Sequence, residues 1–271
     1  MKKILFSIVA AATLSAAFYA CKTNSITGRK QLSLVSSSEM MSAAAAEYKS
    51  YIDTSKVIRT GAQAEMVKRI GANIANAVTK YYAQQGKSSV LDGYKWEYNL
   101  VNSNQVNAWC MPGGKIVVYT GILPVTQNED ALAVVMGHEI AHAIAEHGKE
   151  RASQAILQQV GGAVVGVAVA NKNAQTQNAI MNIYGIGSNV GFMLPYSRNN
   201  ELEADELGLA YSSMAGYNPE AAIPLWQRMA ALGGGTSEFL STHPSESTRI
   251  KRLQNLMPNA ITIYKQAKGI K

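Results

Sequence analysis

Apolar residues recur three or four positions apart along much of the chain, which is the spacing of one face of an α-helix. The clearest run is 61–85, where the repeating positions are Val67, Ile70, Ile74 and Val78. Capping-box patterns precede two further runs, at Ser36-x-x-Glu39 and Thr126-x-x-Glu129. Helices are therefore predicted over about 36–52, 61–85, 126–147, 199–215, 219–232 and 246–257.

Two shorter segments have the patterns of β-strands. Between Tyr94 and Leu100, aromatic and aliphatic residues alternate with polar ones, as in a half-buried strand. The second segment runs from Lys115 to Thr120, and Pro112 in the preceding turn favours a position at the edge of a sheet. The segment 152–195 contains few charged residues. It is predicted to be a buried helix, or alternatively a flap over a site or a surface that contacts the membrane.

The first residues have the parts of an export signal. Lys2 and Lys3 precede the apolar run 4–17, which is shorter than the about 20 residues of a membrane-spanning helix. The next four residues, Phe18-Tyr19-Ala20-Cys21, are similar to a bacterial lipobox, in which the cysteine becomes the lipid-modified first residue. The alternative is simple secretion with cleavage after Ala17. We expect a signal peptide with lipobox at 1–20, a lipidated tether and N-terminal segment at 21–35, and one domain at 36–271.

Composition and charge narrow the possible partners. Hydrophobic residues make up 47% of the chain and charged residues 16%, which excludes an ordinary disordered protein. The formal net charge is +7, but the basic residues form no long run, so no nucleic-acid binding is predicted. Cys110 is the one cysteine besides Cys21, and it is predicted to be a small buried apolar residue.

The pentapeptide His138-Glu139-Ile140-Ala141-His142 carries the strongest chemical signal, in a chain with only 4 histidines. In a helix, His138 and His142 are one turn apart on one face, where two imidazoles can bind one Zn²⁺. Glu139 lies about 100° around the helix from His138, which suits a base acting on water activated by the metal.

A catalytic zinc site needs a third protein ligand, and the acidic segment 201–205 offers one. Glu201 and Asp205 are one helical turn apart, while Glu203 points about 200° away from Glu201. Glu201 is therefore the predicted third ligand. Asp205 is predicted to hydrogen-bond the free ring nitrogen of a ligand histidine. The alternative is a solvated acidic helix start.

The two remaining histidines, His147 and His243, lie outside the pentapeptide. His147 lies about 180° around the predicted helix from His138, so it could join the other two histidines only if the helix unwound. It is interpreted as a helix cap or a satisfied structural histidine. His243 precedes a proline, and both it and Arg249 could reach a site, although a surface loop explains them as well.

Taken together, these motifs resemble the prenyl-CAAX endopeptidase family of gluzincin zinc metallopeptidases. The features that carry the resemblance follow one another along nearly the whole mature chain: Thr27 to Leu32, Asn107 to Gly114, His138 to His142, Glu201 to Asp205, and His243 to Arg249. The short bacterial lipoprotein branch, with its BepA- and LoiP-like periplasmic proteases, is the most similar. The helical-repeat domain and the multispanning membrane helices found in other branches are not expected here, so CAAX processing is not implied.

The resemblance implies an α+β, mostly helical gluzincin domain with a small β-sheet beside the HExxH helix. It implies one Zn²⁺ per chain, held by His138, His142 and Glu201, with Glu139 as the catalytic base. It also implies that His243 and Arg249 act at the site, by stabilising the oxyanion or, for His243, by occupying the open metal position at rest. Asn107 and Ala108 are implied to lie on the edge strand that pairs with an extended substrate.

The expected function is that of a zinc endopeptidase of the cell envelope that hydrolyses unfolded or misassembled envelope polypeptides. The expected location is the periplasmic face of the outer membrane, through a lipid on Cys21; the alternative is a soluble periplasmic or secreted protein. The competing class is a chaperone-like polypeptide-binding lipoprotein whose zinc site is structural or latent.

Overall fold

A computed structural model describes residues 21–159, 196–232, 238–243 and 247–270. The helices are α1 Ser37–Thr54, α2 Ala62–Gln84, α3 Leu123–Thr126, α4 Glu129–Ile144, α5 His147–Gln159, α6 Arg198–Met214, α7 Ala222–Ala231, α8 Glu238–Thr242 and α9 Ser247–Lys268. The strands are β1 Cys21–Thr23, β2 Lys30–Leu32, β3 Val57–Ile58, β4 Glu97–Val101, β5 Ala108–Met111 and β6 Lys115–Tyr119. The predicted α+β, mostly helical class is confirmed.

Four strands of the described residues form one sheet in the order β3-β4-β6-β5. The strand from Lys115, expected at a sheet edge, is β6 and lies inside the sheet, while β5, just before Pro112, forms the edge. β4 and β6 are parallel, β3 and β5 pair antiparallel with them, and Ala108 of β5 lies opposite Val118 of β6. Alternate residues of the sheet enter two separate hydrophobic clusters, so both of its faces are covered. Cys110 belongs to the cluster that includes α2 and α4 and is buried, as predicted.

The helix that carries the HExxH motif runs through the centre of the domain. Asn128 caps it by accepting a hydrogen bond from the backbone N–H of Ala131, whereas Thr126, the predicted cap, ends the short helix α3. Every residue from Ala131 to Ile144 is buried. The sheet and the helices α2 and α6 contact α4, so its motif side chains can reach a protein interior rather than solvent.

The helices α4 and α6 cross at a pair of glycines. A Cβ atom on Gly208 would lie 2.6 Å from the backbone nitrogen of His138, and one on Gly137 would lie 2.6 Å from the carbonyl oxygen of Gly208. Backbone atoms cannot rotate away as side-chain ends can, so only glycine allows this approach. The close crossing places Glu201 and Asp205 of α6 against the histidines of α4.

The predicted single helix from 126 to His147 is wrong at its C-terminal end. α4 ends at Ile144, Glu146 adopts a left-handed φ of 55°, and a second helix, α5, begins at His147. The side-chain amides of Asn24 and Gln31 donate to the carbonyl oxygen of Ala145 at 2.8 and 2.9 Å. These bonds satisfy a carbonyl at the helix end and hold the chain in the break.

The segment 21–35, predicted as a lipidated tether and N-terminal segment, packs on the domain over part of its length. β1 and β2 pair as an antiparallel hairpin, with Cys21 opposite Leu32. Asn24 and Gln31 are buried and bond to each other as well as to Ala145. The buried amides of Asn24 and Gln31 thus bind the end of helix α4.

The last helix is longer than predicted, because α9 continues to Lys268 through Pro258. A proline removes one helical N–H, and here the helix continues past it. None of the helices in the described ranges is long and apolar enough to cross a membrane. The predicted alternatives for 152–195 fall largely on residues 160–195, which lie outside the described residues; the start of the segment belongs to α5.

Candidate metal centre

Four buried side chains from three parts of the chain meet at one point. His138 and His142 come from α4, Glu201 comes from the first turn of α6, and His243 follows α8. One potential ligand atom from each lies within 4.8 Å of all the others. The structure therefore brings the three predicted ligands together, and it adds His243 as a fourth donor.

The spacing of these atoms fits a tetrahedral ion. Nε2 of His138 lies 3.0 Å from Nε2 of His142 and 3.2 Å from Nδ1 of His243. The carboxylate oxygens of Glu201 lie between 3.0 and 3.5 Å from the same three nitrogens. Donors in a tetrahedron around zinc, with bonds of about 2.0–2.1 Å, are about 3.3 Å apart. Nitrogen and carboxylate donors are also the chemistry that zinc prefers outside cysteine sites.

Neighbouring charges prepare the cluster for a cation. Burial opposes a charge on Glu201, but His243 and Arg249 hold its pKa well below the usual range. Burial lowers the pKa of His142 well below its usual value. Burial acts in the same direction on His138, but Asp205 and Glu201 outweigh it and raise its pKa to about 9. Two carboxylates thus favour positive charge at the position where a metal would sit.

Glu139 lies beside the cluster without being part of it. Its Oε1 atom is 3.5 Å from Nε2 of His243 and has no hydrogen-bond partner in the described part of the chain. The side chain is buried, and burial is the main reason why its pKa is raised. A buried carboxylate with an unsatisfied oxygen next to a metal site can accept a proton.

Asp205 and Arg249 contact the predicted ligands and each other. Asp205 Oδ1 lies 3.0 Å from Nδ1 of His138, and the predicted hydrogen bond between them stays a prediction. Arg249 donates to both oxygens of Asp205 at 2.7 Å, lies 2.8 Å from Glu201, and stacks on Trp226. Its guanidinium therefore faces carboxylates in this arrangement, and the predicted action of Arg249 on an oxyanion stays a prediction.

The motif spacing does not predict that His147 reaches the site, but His147 contacts His142, and Glu203 in turn contacts His147. The break after Ala145 turns His147 back, so that its Nδ1 lies 2.9 Å from Nδ1 of His142. Its Nε2 lies 2.9 Å from Oε2 of Glu203. Burial lowers the pKa of His147, while the opposing effect of burial on Glu203 is outweighed by His147 and Arg29, which lower the pKa of that carboxyl. His147 is a satisfied structural histidine, as interpreted from the sequence, but one in contact with a predicted ligand.

Residues 65–257 match Peptidase family M48, a stretch that contains every donor of the cluster. The chain belongs to peptidase family M48. This confirms the resemblance drawn from the motifs, and zinc is the metal of M48 metallopeptidases, in agreement with the donor set.

Similar M48 proteins come from mitochondria and from bacteria. The "Mitochondrial metalloendopeptidase OMA1" of Saccharomyces cerevisiae is 38% identical over 189 residues, which cover 66% of this chain and 52% of the relative. "Metalloendopeptidase OMA1, mitochondrial" of Homo sapiens is 33% identical over 176 residues, which cover 62% of this chain and 33% of that relative. The "Beta-barrel assembly-enhancing protease" of Escherichia coli (strain K12) is 28% identical over 167 residues, which cover 59% of this chain and 34% of that relative. The chain thus spans about half or less of the length of these relatives.

The edge of the sheet in this M48 protein contains Asn107 and Ala108. Tyr119 donates its backbone N–H to the carbonyl oxygen of Asn107 at 3.1 Å. Since hydrogen-bonded pairs alternate in an antiparallel ladder, the backbone groups of Ala108 and Cys110 point away from β6. The N–H of Ala108 donates to Oδ1 of Asn107 at 2.9 Å. Ala108 begins the edge strand β5 and Asn107 immediately precedes it, and the contact of both residues with substrate stays a prediction.

Proposed function

We propose that this M48 protein is a zinc-dependent endopeptidase of the bacterial envelope that hydrolyses peptide bonds in unfolded or misassembled proteins. The observation that carries the proposal is the unsatisfied Glu139 carboxylate beside a buried donor set of His138, His142 and Glu201. A purely structural zinc site has no use for a buried base at its side. An intact base next to three ligands is what metal-assisted hydrolysis needs.

In this proposal, the three ligands, Glu139 and Asp205 have one task each. His138, His142 and Glu201 hold the zinc, which when bound supplies a Lewis acid that polarises the scissile carbonyl and activates water. Glu139 takes a proton from the attacking water and delivers it to the leaving amine. Asp205 keeps His138 oriented through its Nδ1 atom.

His243 has two possible tasks at this site. Its Nδ1 completes the tetrahedral donor set, and its Nε2 lies 3.5 Å from Glu139. With His243 in this place the fourth position is filled, so we propose that it must withdraw before substrate binds. We propose that after this withdrawal its ring donates a hydrogen bond to the oxyanion, together with Arg249.

The proposed substrates are extended polypeptides. The backbone groups of Cys110 in β5 point away from β6 and can pair with one more strand, as can the N–H of Ala108 once it leaves Oδ1 of Asn107. Only an unfolded segment can add itself to a sheet edge in this way. The name of the bacterial relative, "Beta-barrel assembly-enhancing protease", agrees with a substrate among misassembled envelope proteins. Digestion of one disulfide-bonded protein in its native and its reduced, unfolded form tests this; equal cleavage rates would refute it.

The proposed location rests on the N-terminal sequence. Cys21 is exposed at the start of β1, where a lipid can project away from the domain. We propose attachment to the periplasmic face of the outer membrane, although the relatives include mitochondrial proteins. Labelling of cells with a radioactive fatty acid tests the anchor: the label should enter the chain and be lost in Cys21→Ser.

The zinc requirement tests the function itself. Protein stripped of metal should fail to cleave casein, and one equivalent of Zn²⁺ should restore cleavage. The occupied fourth position favours a second candidate, a polypeptide-binding lipoprotein with a latent zinc site. That candidate predicts bound zinc and casein binding without cleavage; cleavage that appears only in His243→Ala would support it.

A further inference from the structure

The two histidines of α4 are supported differently on the nitrogen that faces away from the metal site. Nδ1 of His138 faces Asp205, and a carboxylate in that position is the usual support of a zinc-bound histidine. Nδ1 of His142 instead faces Nδ1 of His147 at 2.9 Å. Because imidazole can either donate or accept there, the direction of this one hydrogen bond decides whether His142 can bind a metal.

The direction is fixed by following one proton at a time. For Nε2 of His142 to offer its lone pair to zinc, the ring proton must sit on Nδ1. That proton is then donated to Nδ1 of His147, which must be the lone-pair side of its own ring. His147 consequently carries its proton on Nε2, and this N–H points at Oε2 of Glu203 at 2.9 Å.

The N–H at Nε2 of His147 therefore needs a hydrogen-bond acceptor, and Arg29 ensures that Glu203 serves as that acceptor. Nε of Arg29 donates to Oε1 of Glu203 at 2.8 Å, while its two terminal nitrogens donate to Glu150 at 2.8 and 2.6 Å. An arginine can only donate hydrogen bonds, so Glu203 accepts from Arg29 on one oxygen and from His147 on the other.

The N-terminal segment also fixes where His147 lies. His147 reaches His142 only because the helix breaks after Ala145, and the amides of Asn24 and Gln31 bind the carbonyl oxygen at that break. Arg29 lies between these two residues in the sequence. The same short segment, 24–31, thus holds both the position of His147 and the acceptor behind it.

A stacked ring holds the face of His142 while its edge is held by His147. The ring of Tyr196 stacks on His142 with 3.9 Å between centroids, and the guanidinium of Arg151 lies 3.8 Å from the Tyr196 centroid. With its plane restrained in this way, the tautomer is the remaining freedom of His142. That freedom is removed by the contact with His147.

We propose that His147 and Glu203 are positioning residues that fix the tautomer and orientation of His142, and that Arg29 couples the N-terminal segment to the metal centre through them. This rests on the proposed function only in taking His142 as a zinc ligand. The segment next to the proposed lipid anchor is then part of the support of the zinc site rather than a passive connection.

Zinc affinity of the mature full chain, measured by competition with a chromophoric chelator, tests the proposal with two similar amides. In His147→Asn, the side-chain oxygen can take the place of Nδ1 and accept from His142, whereas in His147→Gln the amide extends to the place of Nε2. We expect His147→Asn to bind Zn²⁺ within about threefold of the natural protein and His147→Gln to bind about 10–100-fold more weakly. Glu206→Gln is the matched control on α6, since Glu206 pairs with Arg252 at the surface.

The Co²⁺-substituted proteins provide a second measurement that a general loss of stability would not reproduce. The visible d–d spectrum of His147→Asn should match that of the natural protein, and the spectrum of His147→Gln should shift as His142 leaves the ion. Equal affinities in the two variants would overturn the proposal. Because neither measurement needs cleavage, an inactive natural protein would refute the proposed function while leaving this ranking to stand or fall separately.

Discussion

Two carboxylates lie beside the buried ring of His138, and they determine how metal binding at the site depends on pH. Asp205 lies 3.0 Å from one ring nitrogen and Glu201 lies 3.5 Å from the other. Each favours the protonated ring, whereas burial favours the neutral ring. In the metal-free protein the proton therefore occupies the place that a zinc ion takes.

The apparent zinc affinity should rise with pH up to about 9 and then level off. Below the raised pKa of about 9, His138 carries a proton that Zn²⁺ must displace, so affinity should fall about tenfold for each pH unit. The pKa of His142 is lowered, so its proton does not compete in this range. Competition titrations between pH 6 and 10 measure the slope, and an affinity that does not change between pH 6 and 9 would contradict this account. In Asp205→Asn the plateau should begin at a lower pH.

At the scale of elements, the contact between α4 and α6 determines the site. The histidines lie on one helix and the carboxylates Glu201 and Asp205 on the other, so the distance between the two helices sets the distances between donors. Gly137 and Gly208 permit that distance. The pair lies next to His138, which makes the crossing and the metal centre one structural unit.

Gly208→Ala should disrupt both the fold and the metal site. The new methyl group would meet the backbone nitrogen of His138 at 2.6 Å, and the helices would have to separate. We expect a loss of about 3 kcal/mol or more in the free energy of unfolding, at the upper end for overpacking, together with weaker zinc binding. Chemical denaturation and zinc competition measure the two effects. Glu206→Ala on the exposed side of α6 is the control, and equal losses in both variants would show that the crossing is not responsible.

The sequence predicts those parts of the structure that local patterns determine. Helical periodicity locates α2, and the spacing of His138 and His142, with Glu201 and Asp205 on a second helix, predicts the donor set. The sequence misplaces the break after Ala145, because the left-handed residue is Glu146 and the nearest glycine, Gly148, lies inside α5. It depends on Asn24 and Gln31, which are more than a hundred residues away in the chain.

The same limit applies to the residues around the ligands. Periodicity directs Glu203 away from Glu201, and it does so correctly, but the N-terminal segment brings Arg29 to the side where Glu203 points. The contact between His147 and His142 likewise depends on the break between α4 and α5. Contacts that depend on a distant segment cannot be predicted from the spacing of the motif residues.

For the whole molecule, the metal centre connects elements that the chain separates. Its donors come from α4, from α6 and from the residue after α8, and all are buried. An ion that binds all of them in the folded protein, and few of them in the unfolded chain, stabilises the fold.

Zinc should therefore raise the thermal unfolding midpoint of the protein. Free Zn²⁺ at 1,000 times its dissociation constant adds about 4 kcal/mol, or about 8–16 °C for a domain of this size. Differential scanning calorimetry with zinc and with excess chelator measures the difference. Glu201→Gln, which loses a charged donor, should show a much smaller shift; an equally large shift in that variant would mean that zinc binds elsewhere.

The central claim is that Glu139 is the base of a zinc peptidase. The most direct measurement compares casein cleavage and bound zinc in the natural protein and in Glu139→Gln. Since general base catalysis contributes about 10²–10⁴-fold, the variant should lose cleavage by that factor while it retains one Zn²⁺ per chain. Undiminished cleavage by Glu139→Gln with zinc bound, or no cleavage by either protein, would contradict the account.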